Sequence, residues 1–424
     1  MKKFLAMLLA FTMVLSLAAC SSSDSGSDTT QAAETSETEV AETDGSEAAD
    51  AETTAATGDT IRIGFFAPVS AASAAADGQS AQQSAELAVK IINENGGING
   101  ATVELVSYDD GLDTTEAANI AEKLSTADNV TAVVSGSYSG PTKVAAPIFQ
   151  DAGLVMVSAY AVHPDVVNAG DYIFSQSFSG AVQATAAASF AVNDLGDTKI
   201  AIVAVDLDFG KEQAAYFKEK AIELGAEIIS EDYISSSDND LTSVISKIKD
   251  SDADMIYMPV YYEHASEICR QVSLQGLDVD ILGCEGADSW QLLETAGEYA
   301  EGLYITTNMN RDDENEATQT YIEKYREEYD MEPDMVGASV YDAFQVLFAA
   351  MEEVGTDSDA IRDYIAAMTD FDTVTGTLMY YTSAGTAVKP VQIQQVGEDL
   401  EFHSYSIIDD IEIIDGDNIE EVEY

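Results

Sequence analysis

The feature that most constrains the fold of this chain is a regular alternation of short apolar runs and amphipathic helical stretches that begins at Ile61. The run IRIGFF at 61–66 precedes a helical stretch that ends at Gly96 and Gly97, a helix stop signal. The runs TVELVSYDD, TAVVSG and LVMVS follow, separated by the helical stretches EAANIAEKLSTAD and PTKVAAPIFQDAG. This βαβαβαβ order predicts a parallel sheet with helices on both faces.

A second alternating set begins after residues 172–177. A predicted helix at 180–195 leads to the strand KIAIVAV, and the strands AEIISEDYI, DMIYMPV and VDILG follow with helices between them. Further helices are predicted at 316–330, 337–354 and 358–369, and then TGTLMYY and VQIQQV as final strands. We expect the acidic segment 409–424 to form a last strand and a solvated tail. The pattern therefore predicts an α/β protein with two similar lobes in tandem.

In open parallel sheets, ligands bind beyond the carboxyl ends of the strands, so two such lobes would share one cleft. After TAVVSG come Tyr138, Ser139, Gly140 and Pro141. Pro141 fits the first turn of a helix, and either Ser139 or Gly140 fits its cap. The free N–H groups of such a helix end make a site for a carboxylate, although an ordinary serine cap has the same pattern.

The second lobe offers an acid and an aromatic residue at its strand ends. The strand DMIYMPV runs into Tyr261, and VDILG runs into Glu285, which either faces the cleft or caps a helix. A carboxylate-binding helix end in one lobe and a carboxylate in the other would hold a zwitterion at both ends through charge-assisted hydrogen bonds. A free α-amino acid is the smallest ligand that needs both.

The amino-terminal 20 residues have the pattern of an export signal. Two lysines precede an apolar run that is too short for a spanning helix. The run ends in Leu-Ala-Ala-Cys20, which resembles the bacterial lipobox. Lipidation at Cys20 would hold the protein on the membrane through two or more acyl chains. We expect an extracytoplasmic protein, lipid-anchored to the bacterial cell membrane.

Residues 21–59 have a different composition from the rest of the chain. They contain eleven acidic residues and no aromatic or basic residue. Such a segment cannot bury enough apolar surface to offset its ordering entropy, so we predict a disordered acidic linker with a reach of roughly 35 Å.

Charge and cysteine content narrow the class of protein further. The formal net charge of −59 excludes a nucleic-acid binder, which needs a basic face. Cys269 and Cys284 remain after Cys20 and would either pair or stay as buried thiols. No pair among His163, His264 and His403 has metal-ligand spacing, and no nucleophile elbow or phosphate-binding glycine motif is present. We therefore expect no enzyme, no cofactor and no metal.

From Thr60 to about residue 403 the chain resembles the leucine/isoleucine/valine-binding family of ABC-transporter solute-binding proteins. The motifs that carry the resemblance include IRIGFFAPVS, INENGGING, GSYSG, FQDAGLVMVSAYAVHP, DLDFGKE, YYEHASEICRQVSLQGL and GCEGA. The resemblance implies a Venus-flytrap fold of the type I periplasmic binding protein class, with three crossovers between the lobes. It places lobe 1 at 60–179 and 309–386, and lobe 2 at 180–308 and 387–424. It also implies a monomer that closes on an amino acid and delivers it to a membrane permease.

The resemblance assigns roles to individual residues. Ser139 falls on the serine that holds the ligand carboxylate, and Ala161 on the residue whose carbonyl accepts from the ligand ammonium. Glu285 falls on the acid that pairs with that ammonium. Tyr261 and Phe209 fall on the cleft aromatics of the second lobe.

Three departures from the family pattern concern the pocket. Val162 stands where the branched-chain binders carry a threonine, although its N–H can still reach the carboxylate. Tyr138 replaces a cysteine, so the family's disulfide in lobe 1 is absent. The alanine-rich loop 71–78 lacks the family's aromatic lid residue and has Asp77 nearby.

Two other functions of the same fold remain open at this stage. A sensor would feed a signalling partner, but no transmembrane helix follows Tyr424 in this sequence. A transport protein could instead carry an amide, an aromatic acid or a short peptide, for which Trp290, Tyr160 and Tyr138 would line the pocket.

Overall fold

The computed structural model describes residues 60–424. The predicted export signal, Cys20 and the acidic linker lie outside the described residues. No helix within the described range is both long and apolar enough to cross a membrane.

The amino-terminal part of the described chain alternates strands and helices as predicted. Its strands are β1 (Thr60–Ala67), β2 (Thr102–Asp109), β3 (Ala132–Ser135), β4 (Met156–Ser158) and β5 (Ile173–Ser175). Its helices are α1 (Ala75–Glu94), α2 (Thr114–Thr126) and α3 (Ser139–Ala152).

The second alternating set has the same construction. Its helices are α4 (Gly180–Ser189), α5 (Asp208–Glu223), α6 (Thr242–Lys249), α7 (Tyr262–Gln275) and α8 (Trp290–Ala296). Its strands are β6 (Lys199–Val205), β7 (Glu227–Ile234), β8 (Met255–Met258), β9 (Asp280–Gly283) and β10 (Tyr304–Thr307).

The carboxy-terminal part contributes to both sheets. It contains α9 (Glu316–Tyr329), α10 (Met335–Val354) and α11 (Ser358–Ala366). The short strands β11 (Phe371–Thr373), β12 (Gly376–Leu378), β13 (Tyr380–Tyr381) and β14 (Ala387–Val388) follow. The chain ends with β15 (Val391–Val396), β16 (Phe402–Ile408) and α12 (Ile411–Ile414).

The strands form two large sheets, one in each lobe. The first has five parallel strands in the order β2-β1-β3-β4-β5. The second has the order β16-β15-β10-β9-β8-β6-β7, in which the five strands from β7 to β10 are parallel and β15 and β16 are antiparallel additions at one edge.

Helices cover both faces of each sheet because the strands are apolar on both sides. In the first lobe, α1 and α10 pack on one face and α2 and α3 on the other. In the second lobe, α4 and α5 cover one face and α6, α7 and α8 the other. The predicted two-lobed α/β fold is thereby confirmed.

The sequence prediction was wrong at the carboxy terminus. Residues 409–424 form no strand; the segment contains α12 and a short 3₁₀ turn, and Val422 donates its N–H to the Tyr216 hydroxyl at 3.3 Å. The last strand is β16, which was not predicted; after the buried Phe402 its residues at the sheet edge are half-buried or exposed. The segment lies against the second lobe because Ile419 and Val422 pack on its apolar core.

The chain passes between the two sheets three times: after β5, after β10 and before β15. At the first two passages, Asn308 donates to the Ser177 hydroxyl at 3.2 Å and Tyr381 donates to Gln176 at 2.9 Å. At the third, the fully buried Lys389 donates to Thr375 at 2.5 Å and lies 4.0 Å from the buried Asp342 carboxylate. The crossovers are therefore held by buried polar contacts.

Candidate functional site

A cavity of about 30 Å³ lies between the two lobes, beyond the carboxyl ends of strands from both sheets. This is the location expected for a ligand site in open parallel sheets. Its lining residues from the first lobe are Asp77, Tyr138, Ser139, Tyr160, Val162, Met335 and Val336. Those from the second lobe are Phe209, Tyr261, Glu285, Gly286 and Asp288.

The cavity brings together seven of the eight residues assigned to the ligand site from the sequence. They are Tyr138, Ser139, Tyr160, Val162, Phe209, Tyr261 and Glu285. Ala161 is not a lining residue, because its side chain packs in the core of the first lobe. Among the described residues no hydrogen bond ends on the Ala161 carbonyl oxygen, so that oxygen stays available as an acceptor.

Ser139 is the first residue of α3 rather than its cap. The N-cap is Tyr138, whose extended backbone (φ −70°, ψ 168°) turns the chain into the helix and whose carbonyl accepts from Thr142 at 3.1 Å. Pro141 therefore lies at the third helical position and has no N–H to offer. The N–H groups of Ser139 and Gly140 have no partner among the described residues. Ser139 lines the cavity, and a helix end with free N–H groups can bind an anion there together with the helix dipole.

Three aromatic rings stack across the cleft. Tyr138 of the first lobe lies over Tyr261 of the second, with ring centroids 5.0 Å apart and planes 10° from parallel. Phe209 stacks on the other face of Tyr261 at 5.1 Å. Tyr160 meets the edge of Tyr138 at 6.1 Å and donates its hydroxyl to the Gly136 carbonyl at 2.8 Å. The lobes thus touch through rings that also line the cavity.

Gly286 allows Tyr261 to occupy its position. A Cβ at residue 286 would lie 2.8 Å from the Val260 carbonyl oxygen and 3.2 Å from the Tyr261 ring. Any side chain there would force the Val260 backbone, and with it the adjoining Tyr261, to move, because real Cβ atoms do not approach other atoms within 3.0 Å. The GCEGA motif therefore positions two neighbours, the Glu285 carboxylate and the Tyr261 ring.

Glu285 is a buried carboxylate without a basic partner among the described residues. It lies in a 3₁₀ turn after β9, and its Oε2 accepts from the Gln213 amide at 3.3 Å. Burial raises its pKa to about 8, against the hydrogen bonds from its own backbone and from Gln213. An ammonium group in the cavity would favour the ionised form. Glu285 can therefore serve as the cation acceptor of the site.

A second carboxylate of the lining, Asp288, already has its partners. Arg311 donates to its Oδ1 at 2.5 Å, and the Thr307 hydroxyl donates to its Oδ2 at 2.6 Å. Arg311 also donates to Gln394 at 2.9 Å. Asp288 is thus compensated within the protein, and Glu285 is not.

Asp77 is a third carboxylate of the lining, and it comes from the first lobe. The segment predicted as a loop is partly helical, since α1 begins at Ala75 and includes Asp77 in its first turn. The helix starts this early because Gly78 lets its backbone pass Pro68, where a Cβ would lie 2.5 Å from the carbonyl oxygen. The Tyr138 hydroxyl donates to Asp77 Oδ2 at 2.5 Å. Burial, followed by the charge of Asp334, raises the pKa of Asp77 to about 7.

Sequence reasoning did not assign five lining residues to the site: Asp77, Gly286, Asp288, Met335 and Val336. Met335 and Val336 open α10, and Asp334 caps that helix by accepting from the Gly337 N–H at 2.8 Å. An aspartate cap before a long apolar helix is visible in the sequence, but its position beside the cleft depends on the tertiary fold.

The cysteines of the described chain are free thiols. Cys269 and Cys284 are both buried and unpaired, which settles the alternative that the sequence left open. One surface group, Asp399, Glu401 and His403, brings three potential metal ligands within 4.8 Å, but exposed acidic groups of this kind are common without an ion. It lies at the turn between β15 and β16 and lines no part of the cavity.

Comparison with known proteins decides the family. The family model described as periplasmic binding protein matches residues 60–401, which is most of the chain. The chain belongs to the periplasmic binding protein family. The match confirms that this periplasmic binding protein is a solute binder and not an enzyme.

Individual relatives of this periplasmic binding protein match most of its folded part. The leucine-, isoleucine-, valine-, threonine- and alanine-binding protein of Pseudomonas aeruginosa is 28% identical over 324 residues, covering 76% of this chain and 85% of the relative. LivJ, the branched-chain amino acid transporter substrate binding protein of Streptococcus pneumoniae, was solved with isoleucine. It superposes with a TM-score of 0.76 at 28% identity, over 82% of this chain and 99% of LivJ.

A more distant structure shares the fold with a different kind of bound molecule. The solute binding protein of an ABC transporter from Rhodopseudomonas palustris BisB5 holds 3,4-dihydroxy benzoic acid. It superposes with a TM-score of 0.75 at 21% identity, over 83% of this chain and 98% of that one. The fold by itself therefore does not determine what the cavity of a given member binds.

Proposed function

We propose that this protein is the extracytoplasmic solute-binding component of an ABC importer, and that its cavity binds an α-amino acid and passes it to the permease. The observation that carries the proposal is the pairing of two complementary groups across one cavity. The unpartnered N–H groups at the start of α3 face it from the first lobe, and the uncompensated Glu285 carboxylate faces it from the second. The named cargoes of the relatives, which are amino acids, support the same ligand class.

The ligand would be held by its two charged ends. The N–H groups of Ser139 and Gly140 and the Ser139 hydroxyl would bind the carboxylate. Glu285 and the Ala161 carbonyl would accept from the ammonium group, and the Val162 N–H would assist at the carboxylate. Because these groups belong to both lobes, ligand contacts favour the closed arrangement by their differential affinity for it. We assign the lobes to 60–179 with 309–386 and to 180–308 with 387–424.

A ligand screen tests this function. Thermal unfolding of the purified protein, after bound ligand is removed by unfolding and refolding, is measured with each of the twenty amino acids, with simple amides and with aromatic acids. A ligand that binds the folded state raises Tm by mass action. We expect α-amino acids to raise Tm and their α-keto and decarboxylated analogues not to. A rise with benzoates alone would contradict the proposal.

Ser139→Ala should weaken amino-acid binding by about 1–2 kcal/mol, because it removes a hydroxyl donor to a charged group but leaves the helix N–H groups in place. The measurement is calorimetric titration with the ligand found in the screen. Ser137→Ala is the matched control, since Ser137 is fully buried outside the cavity lining. Equal affinities for the two variants would remove the Ser139 hydroxyl from the site.

We further propose that Cys20 carries the lipid anchor and that residues 21–59 tether the folded part to the membrane. The support is the small-residue sequence before Cys20 and the acidic composition after it. Cys20→Ala should release the protein from the membrane fraction into the soluble extracytoplasmic fraction, as measured by fractionation and immunoblotting. Retention of the variant in the membrane fraction would contradict lipid anchoring at this residue.

A further inference from the structure

We propose that the amino acid bound here carries a second nitrogen cation on its side chain, and that Asp77 is the residue that selects it. This inference rests on the proposed function and names the ligand class within it. Asp77 and Glu285 line the same cavity from opposite lobes, and the lining contains no lysine, arginine or histidine. The α-ammonium group of an amino acid would satisfy Glu285 and leave Asp77 for another cation.

The hydrogen bonds of the neighbouring acids distinguish Asp77 from them. Asp288 forms an ion pair with Arg311, and Asp334 accepts from Ser80 at 2.5 Å and from the Gly337 N–H at 2.8 Å. Asp77 has one donor among the described residues, the Tyr138 hydroxyl, although its residue surface is only 7% exposed. Its second carboxylate oxygen is therefore open to a donor inside the cavity.

The charges around Asp77 favour a cationic partner. The groups that act on it are Asp334, Tyr138, Glu263 and Asp288, and three of these four are acids. Burial and these acids disfavour the ionised form of Asp77, which agrees with its raised pKa of about 7. A hydrocarbon side chain next to Asp77 would leave this buried acid without a further partner, which is unfavourable. A cation would relieve the repulsion at Asp77.

The aromatic side chains that line the cavity would also attract a cation on the ligand. Tyr138, Tyr160 and Phe209 line the cavity, and the face of such a ring attracts a cation within about 6 Å where no other ring covers it. Both faces of Tyr261 are covered by its neighbours in the stack. A side chain with a terminal ammonium group fits both the charge and the rings, whereas the side chain of leucine would leave Asp77 without a further partner.

The test compares ligands that differ only in the side-chain cation. Calorimetric titrations at pH 7.5 of the full chain, stripped of bound ligand, use 2,4-diaminobutyrate and ornithine. Their uncharged counterparts are 2-aminobutyrate and norvaline, and leucine, isoleucine and valine complete the panel. We expect at least one diamino acid to bind 10-fold or more tightly than its uncharged counterpart. Tighter binding of the uncharged member of both pairs would overturn the inference.

Asp77→Asn provides the second arm, because asparagine keeps the size and the acceptor for Tyr138 but removes the charge. We expect this variant to lose 10-fold or more in affinity for the diamino acid and to lose the preference for the diamino acid over 2-aminobutyrate. Asp357→Asn is the matched control, since Asp357 caps α11, asparagine also caps helices, and residue 357 neither lines the cavity nor is among the acids that act on Asp77. Unchanged diamino-acid affinity in Asp77→Asn would contradict the assignment.

The two proposals fail in different ways. If leucine, isoleucine or valine binds most tightly and Asp77→Asn leaves that affinity unchanged, the side-chain cation is wrong while the amino-acid function stands. If no α-amino acid binds the wild-type protein, both proposals are wrong. The number of protons released on binding gives a further test of Asp77. It is measured at pH 7 by titrations in two buffers of different ionisation enthalpy. When a diamino acid binds, we expect the wild type to release more protons than Asp77→Asn.

Discussion

Glu285→Gln is expected to weaken α-amino-acid binding by about 1.5–3 kcal/mol, or roughly 10- to 150-fold in Kd. Glutamine keeps the shape of the side chain and an acceptor oxygen, so the loss reports the charge. The measurement is calorimetric titration of the wild type and the variant with the same amino acid at pH 8, where the wild-type carboxyl is about half ionised.

Glu212→Gln is the matched control for this prediction. Glu212 is fully buried and close to Glu285, and neither of its carboxyl oxygens has a hydrogen-bond partner among the described residues. Burial, followed by the charge of Glu285, raises its pKa well above the ordinary value, which favours the neutral form of this side chain. We expect this variant to bind within about threefold of the wild type. If Glu285→Gln does the same, Glu285 does not contact the ligand.

The affinity should also depend on pH. The pKa of Glu285 is raised to about 8, so at pH 6 the carboxyl is protonated and must lose its proton when an ammonium group binds. Affinity is therefore expected to rise as the pH increases from 6 toward 8 and then to level off. Glu285→Gln should flatten this dependence for a ligand with an uncharged side chain. A wild-type affinity that falls between pH 6 and 8 would contradict the assignment.

Lys389→Met is expected to lower the free energy of unfolding by about 3–5 kcal/mol, because it leaves the Asp342 carboxylate buried without its cation. Both side chains are fully buried, and burial lowers the pKa of Lys389 to about 8. Asp342 also accepts from the N–H groups of Val374 and Thr375, at 2.7 and 2.9 Å, and these bonds are fixed by the chain next to the crossover. The measurement is denaturant-induced unfolding at pH 7.

Two comparisons make the result specific. Lys247→Met breaks an exposed ion pair with Asp232 and should cost no more than about 1 kcal/mol. The double variant Lys389→Met with Asp342→Asn should lose less than the sum of the two single variants, since each single change leaves the other group without its partner. Additive losses would show that the two side chains do not interact.

The order of strands and helices was largely predictable because the buried strands of a parallel α/β fold are apolar runs that alternate with amphipathic helices. β1 to β4 and β6 to β9 were indicated by such runs, whereas the short strands β5 and β10 were not predicted. The second sheet departs from the parallel pattern only where β15 and β16 join in antiparallel orientation. β16 was missed because it is an edge strand with exposed polar positions. The prediction of a strand in the carboxy-terminal segment was wrong. Ile411 and Ile414 suggest a strand, whereas Asp410 caps a short helix there.

The candidate site was predictable wherever a residue follows a strand directly. Ser139, Tyr261 and Glu285 belong to this group, and the rule about strand ends places them at the cleft. Asp77 was not assigned to the cavity because its position depends on Gly78, which lets α1 start before the apolar pattern does. Asp288 was missed for another reason: its compensation by Arg311 is a contact between distant parts of the chain.

The stack of Tyr138 on Tyr261 has a consequence for how the two lobes come together. The rings belong to different lobes, so their contact is gained on closure whether or not a solute is present. An aromatic pair contributes about 0.5–1.5 kcal/mol beyond its buried area, which multiplies the closed-to-open ratio by roughly 2 to 12. Since apparent affinity scales with the population of the competent conformation, this ring pair sets part of the strength of capture before any solute arrives. It also sets part of the fraction of ligand-free protein that is in the closed conformation when it meets a permease.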